Sequence, residues 1–287
     1  MDGQAVAPGA GTVLNALATG RGSAFAIDLE TTASVSLVDE PGIDATIDGH
    51  PDADTGLLEA AVAVTLERHG DDYAGPVGAV VETTSEVPMA SGLKSSSAAA
   101  NATVLATLDA LGLPTTVDRL DACRLGVEAA RQAGVTVTGA FDDASASMLG
   151  GVTVTDNTDD ELLAQADVDW QALVYTPDET AASADADVDA CGRIAPLARV
   201  AEELALDGRY GEAMTVNGFG FCGALGYPTD PLLEALPAVD GVSLSGTGPS
   251  YVAVGERDTL EAVREAWDER PGETRLLRTR SDGARIL

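Results

Sequence analysis

Lysine is almost absent from this 287-residue chain: Lys94 is the only one among 16 basic residues. Against these stand 47 acidic residues, for a formal net charge of -31. A surface of that sign repels phosphate backbones and anionic headgroups, which argues against nucleic-acid and membrane-surface binding. There are two histidines, His50 and His69, both in charged, turn-like surroundings. A histidine-based zinc site or a Ser-His-Asp triad is therefore not expected. The three cysteines, Cys123, Cys191 and Cys222, are too scattered for a disulfide framework or a CxxC metal site and read as small core fillers. Aromatics make up only 4% of the chain, so Ala, Val and Leu must do most of the packing. No stretch approaches the roughly 18 apolar residues that a membrane span needs. The opening MDGQAVAPGA lacks a basic segment followed by an apolar one, so no signal peptide is expected and a cytoplasmic location is.

The acidity has a particular character. Aspartate outnumbers glutamate, and the acids are spread along the chain rather than gathered in a tail. Like charge at this density pushes a fold apart at low salt. At molar salt the Debye length falls to about 3 Å and the repulsion is largely screened. A salt-rich cytoplasm, and so a halophilic source, is the expectation.

Hydrophobic residues make up 45% of the sequence, enough for one large domain or two lobes. Short strands are predicted at 25–29 and 33–38, 77–84, 152–155, 172–175, 242–244, 251–255 and 274–280 by alternation and β-branched content. Helices are predicted at 55–69, from the serine-rich stretch to Gly112, at 118–133, 194–206, 209–225 and 259–268 by apolar spacing and end signals. Asp118 is a candidate N-cap and Gly134 a candidate stop. The polar stretch 156–160 is the expected boundary between lobes, giving 1–155 and 156–287. Residues 178–189 read as an acidic, Ala-rich loop. Strands and helices alternate irregularly, which fits α+β better than a doubly wound parallel sheet.

Three segments carry chemistry. In Pro88-Met89-Ala90-Ser91-Gly92-Leu93-Lys94-Ser95-Ser96-Ser97-Ala98, glycine and small hydroxyl residues let backbone N–H groups approach an anion. The helix that follows adds its free N-terminal amides and partial positive charge. Its serine hydroxyls suit a phosphate-bridging Mg²⁺, and the sole lysine suits a phosphate or a substrate carboxylate. A polar turn that merely caps a helix is the plainer alternative. The loop is not a Walker A motif, since Leu93 separates Gly92 from Lys94. In Thr138 to Gly151, the adjacent Asp142 and Asp143 lie among small and apolar residues. Such acids are costly to bury without a task, and one of them could orient or deprotonate a hydroxyl; capping of a helix beginning near Ala144 is the alternative. The third segment, Ser245-Gly246-Thr247-Gly248-Pro249-Ser250, is a glycine turn between strands, either a plain hairpin or a place where backbone approaches a ligand.

Taken in this order, and with Ala7-Pro8-Gly9-Ala10-Gly11 to Ala16 ahead of them, these segments resemble the GHMP kinase superfamily, although the basic residue usual after Pro-Gly is absent. Within it the likeness is to the archaeal shikimate kinase branch, through SGLKSSSAAANA with Lys94 where most relatives have glycine, through TGAFDDA at 138–144, and through Asn15-Ala16 with Gly20 to Phe25. The resemblance implies a two-lobed α+β fold, with an N-terminal lobe like ribosomal protein S5 and a ferredoxin-like C-terminal lobe around an active-site cleft. It implies ATP as phosphoryl donor, Mg²⁺, and the 3-hydroxyl of shikimate as acceptor, in a monomer or homodimer. Pro88, Ala90 to Ser97 and Gly246 to Gly248 would then cradle the triphosphate: Ala90, Ser91, Gly92, Leu93, Lys94, Ser95, Ser96 and Ser97 on one side, Gly246, Thr247 and Gly248 on the other. Ser96 and Glu128 would hold the metal. Asp143 matches the catalytic acid counted back from Gly150-Gly151, and Asp142 matches it by its neighbour; Lys94 joins them. Asn15, Arg21 and Asp143 would meet the substrate. Its carboxylate would fall to one of Arg21, Lys94, Arg124 or Arg209, unless those arginines are surface ion pairs.

Overall fold

A computed structural model describes residues 1–70, 78–113, 117–136, 138–178 and 187–287. Val77 and most of the acidic loop expected at 178–189 lie outside them.

The short strands expected at 25–29 and 33–38 are parts of one long strand, β2 (Arg21–Val38), which pairs with a strand the sequence did not signal, β1 (Asp2–Leu14); the two are joined through a 3-10 turn at Ala16–Ala18. Residues 5–14 of β1 are buried without interruption, so no polar-apolar alternation marks the strand. Around this pair a seven-stranded sheet forms in the order β11-β1-β2-β4-β3, with β5 on the first part of β2 and β6 on β5. Its other members are β3 (Ile43–Ile47), β4 (Gly78–Ser85), β5 (Val152–Asp156), β6 (Glu161–Ala166) and β11 (Arg285–Ile286). The β3–β4 pairing is parallel; the rest are antiparallel.

Four helices cover one side of this sheet and share a core with it: α1 (Gly56–His69), α2 (Ser95–Ala110), α3 (Arg119–Gln132) and α4 (Phe141–Leu149). The Ala-rich α2 is buried on nearly every side, because small side chains let neighbours close in all round it. Asp118 caps α3 as expected, its carboxylate accepting from the amides of Leu120 and Asp121 at 2.8 and 3.2 Å.

The second sheet is four-stranded and antiparallel, in the order β10-β7-β9-β8: β7 (Gln171–Pro177), β8 (Gly241–Leu244), β9 (Tyr251–Gly255) and β10 (Gly272–Arg278). Both of its faces are covered, and strand alternation sorts the residues between them. Ala172 and Val174 of β7, with Val252 and Val254 of β9, join Phe25, Ile27 and Val154 of the first sheet in one core. That core also takes in α6 (Ala195–Leu206) and α7 (Tyr210–Leu225). Leu173, Tyr175, Tyr251 and Ala253 point the other way, into a core with α8 (Asp230–Ala235) and α9 (Arg257–Trp267). The short α5 (Val188–Arg193) precedes α6.

The stretch 156–160 is the turn between β5 and β6, two neighbours in the first sheet. The chain changes sheets between Ala166 and Gln171, and returns to the first sheet at β11. Among the described residues, no helix is long and apolar enough to cross a membrane.

Candidate active site

The three motif segments and the end of β1 converge. The amide of Ala10 donates to Leu93 O at 3.1 Å, which fastens the serine-rich loop to β1. Gly92 has φ +81°, and a Cβ there would lie 2.4 Å from Ser245 O, so only glycine lets the loop rest on the 245–250 turn. Ser245 Oγ donates to Gly92 O at 2.8 Å. Gly246 N donates to Thr12 Oγ1, and Asn15 Nδ2 to Gly246 O, each at 2.8 Å. Asn217, on α7, completes the joint: its Oδ1 accepts from Asn15 N at 2.9 Å and its Nδ2 donates to Ser243 Oγ at 2.9 Å.

These contacts frame an open cleft. Lys94, Ser96, Ser97, Gly246 and Thr247 line it on the loop side, Asn15 and Leu17 from the 3-10 turn after β1, and Thr136 and Thr138 from the α3–α4 connection. Asp142 and Asp143 enter it from the first turn of α4. They stand inside that helix, which starts at Phe141 with Ala140 as its N-cap; they do not cap a helix beginning near Ala144. The first backbone bond of α2 runs from Ala98 N to Lys94 O, which leaves the amides of Ser95, Ser96 and Ser97 outside the helical ladder.

Lys94 is the N-cap of α2, with φ +64°. A left-handed lysine is strained by about 1 kcal/mol or more relative to glycine. What the side chain does there offsets that cost. It is 7% exposed, and its Nζ lies 2.8 Å from Asp143 Oδ1. The same ammonium lies against Gly246 of the facing turn.

Asp142 is 5% exposed. Asn157, in the β5–β6 turn, holds it from both ends: Nδ2 donates to Asp142 Oδ1 at 2.7 Å, and Oδ1 accepts from the Asp142 amide at 3.1 Å. Thr155 Oγ1 donates to the same Asn157 oxygen at 2.8 Å. A Cβ on Gly22 would come within 2.4 Å of Asp142 Oδ2, so β2 needs its glycine there. Burial, and then the neighbouring Asp143 charge, push the Asp142 carboxyl up to about 7, against the opposing pull of Lys94 and Asn157.

Other expected residues are placed elsewhere. Arg21 does not line the cleft; its guanidinium pairs with Asp156 at 2.8 Å and Glu202 at 3.6 Å, on the side of β2 away from Gly22. Arg124 pairs with Asp121, and Arg209 with Glu212. Of the four carboxylate receptors considered from the sequence, Lys94 alone lines the cleft. Glu128 is not brought to Ser96: its side chain is 45% exposed on α3, 3.9 Å from Arg68 of α1. Asn157 and Asn217 were missed. Asn157 fell in the stretch read as a lobe boundary, and Asn217 meets its partner across 202 positions, so no local pattern signals it.

The donors fit a small hard cation. A serine hydroxyl (Ser96) and two carboxylates share a cleft with free amides, as a Mg²⁺ shared with phosphate oxygens requires.

Comparison with known proteins agrees with this geometry. Residues 56–151 match the GHMP kinases N terminal domain. The whole chain superposes on a homoserine kinase from Cytophaga hutchinsonii (TM-score 0.75, 20% identity, covering 100% of this chain and 97% of that one). It also superposes on Lactococcus lactis galactokinase complexed with galactose (TM-score 0.77, 16% identity, 100% and 95%). The fold is thus that of the GHMP kinases, α+β with two sheets. The sequence is 61% identical to shikimate kinase of Halobacterium salinarum over 286 residues, 99% of both chains. It is 49% identical to shikimate kinase of Methanococcoides burtonii, over 97% of this chain and 96% of that one. The chain belongs to the archaeal shikimate kinase family.

Proposed function

We propose that the chain transfers the γ-phosphoryl group of ATP to the 3-hydroxyl of shikimate, giving shikimate 3-phosphate and ADP. The observation that carries this reading is the Lys94–Asp143 pair between the serine-rich loop and the glycine turn, in a chain 61% identical to a shikimate kinase. The amides of Ser95 to Ser97 and the backbone of Gly246 to Gly248 receive the phosphates. Mg²⁺, held by Ser96 and a carboxylate of the aspartyl pair, would neutralise phosphate charge. Glu128 enters this set only by leaving Arg68.

The shikimate oxygen forms a bond to Pγ as the bond from Pγ to the β,γ-bridging oxygen breaks. The hydroxyl proton passes to Asp143, which faces Lys94 in the cleft. Lys94 holds that carboxylate in place and offsets charge on the transferring phosphoryl group, where positioning and electrostatics supply most of the acceleration. Asp142, turned toward Asn157 and Gly22, supports Asp143 from behind. Thr136 and Thr138 offer hydroxyls to the acceptor's own. Two lobes, a cytoplasm of high salt and a halophilic source complete the proposal; the Halobacterium relative and the net charge support the last of these.

The test is coupled ADP release in molar KCl with shikimate, homoserine and mevalonate compared. Turnover with shikimate alone is the expected result; turnover with either of the others and none with shikimate would displace this substrate. Asp143→Asn should lower kcat by at least a hundredfold with nucleotide binding retained.

A further inference from the structure

The connection between α3 and α4 gives the candidate active-site cleft one of its walls, through Val135, Thr136, Thr138 and Ala140. In the reading above, the serine-rich loop and the glycine turn take up the phosphates, which leaves this wall to the acceptor. Its described residues form neither helix nor strand, so no backbone ladder holds them in shape. Something else must.

Arg131, in the last turn of α3, is placed to do it. A Cβ built on Gly139 would meet Arg131 Nη2 at 2.3 Å and both Cζ and Nε at 2.6 Å. Three guanidinium atoms at nearly one distance mean that the plane of the group, rather than an edge, covers the glycine. With φ +87°, the position favours glycine on backbone grounds as well. The nitrogens of the same group reach the β5–β6 turn. Nη1 donates to Asp160 Oδ2 and Nη2 to Asp160 Oδ1, both at 2.7 Å. Nη2 also reaches Asn157 O at 3.5 Å. Asn157 in turn leads back to the wall, its Nδ2 donating to Thr138 Oγ1 at 3.4 Å. One guanidinium thus joins α3, the cleft wall and the turn.

This pair is unlike many others in the chain, which join residues three or four apart on one helix. Arg131 and Asp160 are 29 positions apart. Asp160 is also held a second time: Arg124, two turns earlier on the same face of α3, donates Nε and Nη2 to Asp160 O at 3.4 and 3.3 Å. Asp160 has φ +50°, a left-handed conformation that a residue other than glycine keeps only where its surroundings enforce it. A two-pronged pair supplies geometry as well as attraction. Molar salt screens the long-range attraction, so the fork is what remains. A lysine would bring the charge without the fork.

We propose that Arg131 is a positioning residue for the acceptor: lying flat on Gly139 and forked to Asp160, it fixes the wall that carries Thr136 and Thr138, so that the acceptor hydroxyl is presented to the phosphoryl group. It acts from behind the lining of the cleft and touches neither substrate. The selectivity of the effect follows from the layout. Arg131 braces the α3–α4 wall, whereas the serine-rich loop and the glycine turn are fastened to each other and to β1 by bonds of their own. The assignment of this wall to the acceptor rests on the proposed function; the joint itself does not.

The test is steady-state kinetics of the full chain in molar KCl, with ATP and the acceptor varied in turn. The wild type is first offered shikimate, homoserine and mevalonate, and the one it phosphorylates is used throughout. Arg131→Gln, Arg131→Lys and Gly139→Ala should each raise the KM for the acceptor at least fivefold and lower kcat at least threefold. The KM for ATP should stay within twofold of wild type. Should Arg131→Gln fail to fold, Arg131→Lys, which keeps the charge, carries the test. Wild-type kinetics in Arg131→Lys, or a rise of both KM values by the same factor, overturns the proposal. Acceptor-selective losses measured with homoserine or mevalonate would support the positioning role and displace shikimate alone. The joint is also read without substrate, by urea unfolding of Arg131→Gln, Asp160→Asn and the double variant. Losses that fall short of additive support it, and additive losses overturn it.

Discussion

Replacing Lys94 by methionine keeps the length of the side chain and removes its charge. At 2.8 Å, with an effective dielectric near 20, the attraction to Asp143 is about 6 kcal/mol. Desolvation of both groups cancels much of it, and breaking such a pair from one side costs about 3–5 kcal/mol, because the other charge stays behind unpaired. Here the stranded carboxylate also adjoins Asp142, itself buried, which places Lys94→Met at the upper end. Asp143→Asn leaves a buried ammonium and should cost about 3 kcal/mol. The double variant leaves neither charge, so its loss should fall short of the sum by at least 2 kcal/mol. The assay is urea unfolding of all four proteins at several KCl concentrations from about 1 to 4 M, where further screening hardly reaches a buried pair and the coupling should persist. In ADP release, each single variant should lose at least a hundredfold in kcat and the double variant little more than the worse single, since the two act as a unit. Losses that add to within about 0.5 kcal/mol would refute the pair as a coupled element.

Three further outcomes are expected. Because the Asp142 carboxyl is raised to about 7, the folded protein keeps a proton there that the unfolded chain has lost. That contribution to stability is complete below about pH 4 and disappears as pH rises through 7, by a few kcal/mol at most. Asp142→Asn should flatten the fall, and a wild-type slope in the variant between pH 5 and 7 would count against a raised Asp142. Asn157→Leu removes the hydrogen bond that favours the charged form of Asp142. The acid limb of the kcat profile should move to higher pH and kcat should drop at least tenfold, with the KM for ATP little changed; a change in KM alone would reassign Asn157 to nucleotide binding. Gly92→Ala forces a Cβ against Ser245 O at a left-handed φ, so it should cost about 2 kcal/mol or more in thermal or urea unfolding and raise the KM for ATP at least tenfold.

What the sequence made legible was local. The helices over 56–69, 95–110, 119–132 and 210–225 announce themselves by apolar spacing, by the Asp118 cap and by Gly112 and Gly134 just past their ends. The loop at 88–98 and Lys94 stood out because each is chemically odd in its surroundings. β1 hid because it is buried on both sides and built from Ala, Gly and Val, which removes the alternation that betrays a strand. β3 and β6 were not anticipated either. The arginines expected near the substrate are spent on neighbouring acids, as a chain with 47 of them invites. Asn157 and Asn217 act only through partners brought close by folding, Asp142 in one case and Asn15 in the other.

The solitary lysine has a chemical consequence. Apart from the α-amino group of Met1, the chain holds one primary amine, and it sits nearly enclosed in an ion pair with Asp143 at the candidate active-site cleft. An active ester or an aldehyde plus hydride therefore has one internal target. Acylation at that nitrogen becomes a stopwatch for how often the cleft opens, readable by mass alone and silenced by whatever fills the space beside it.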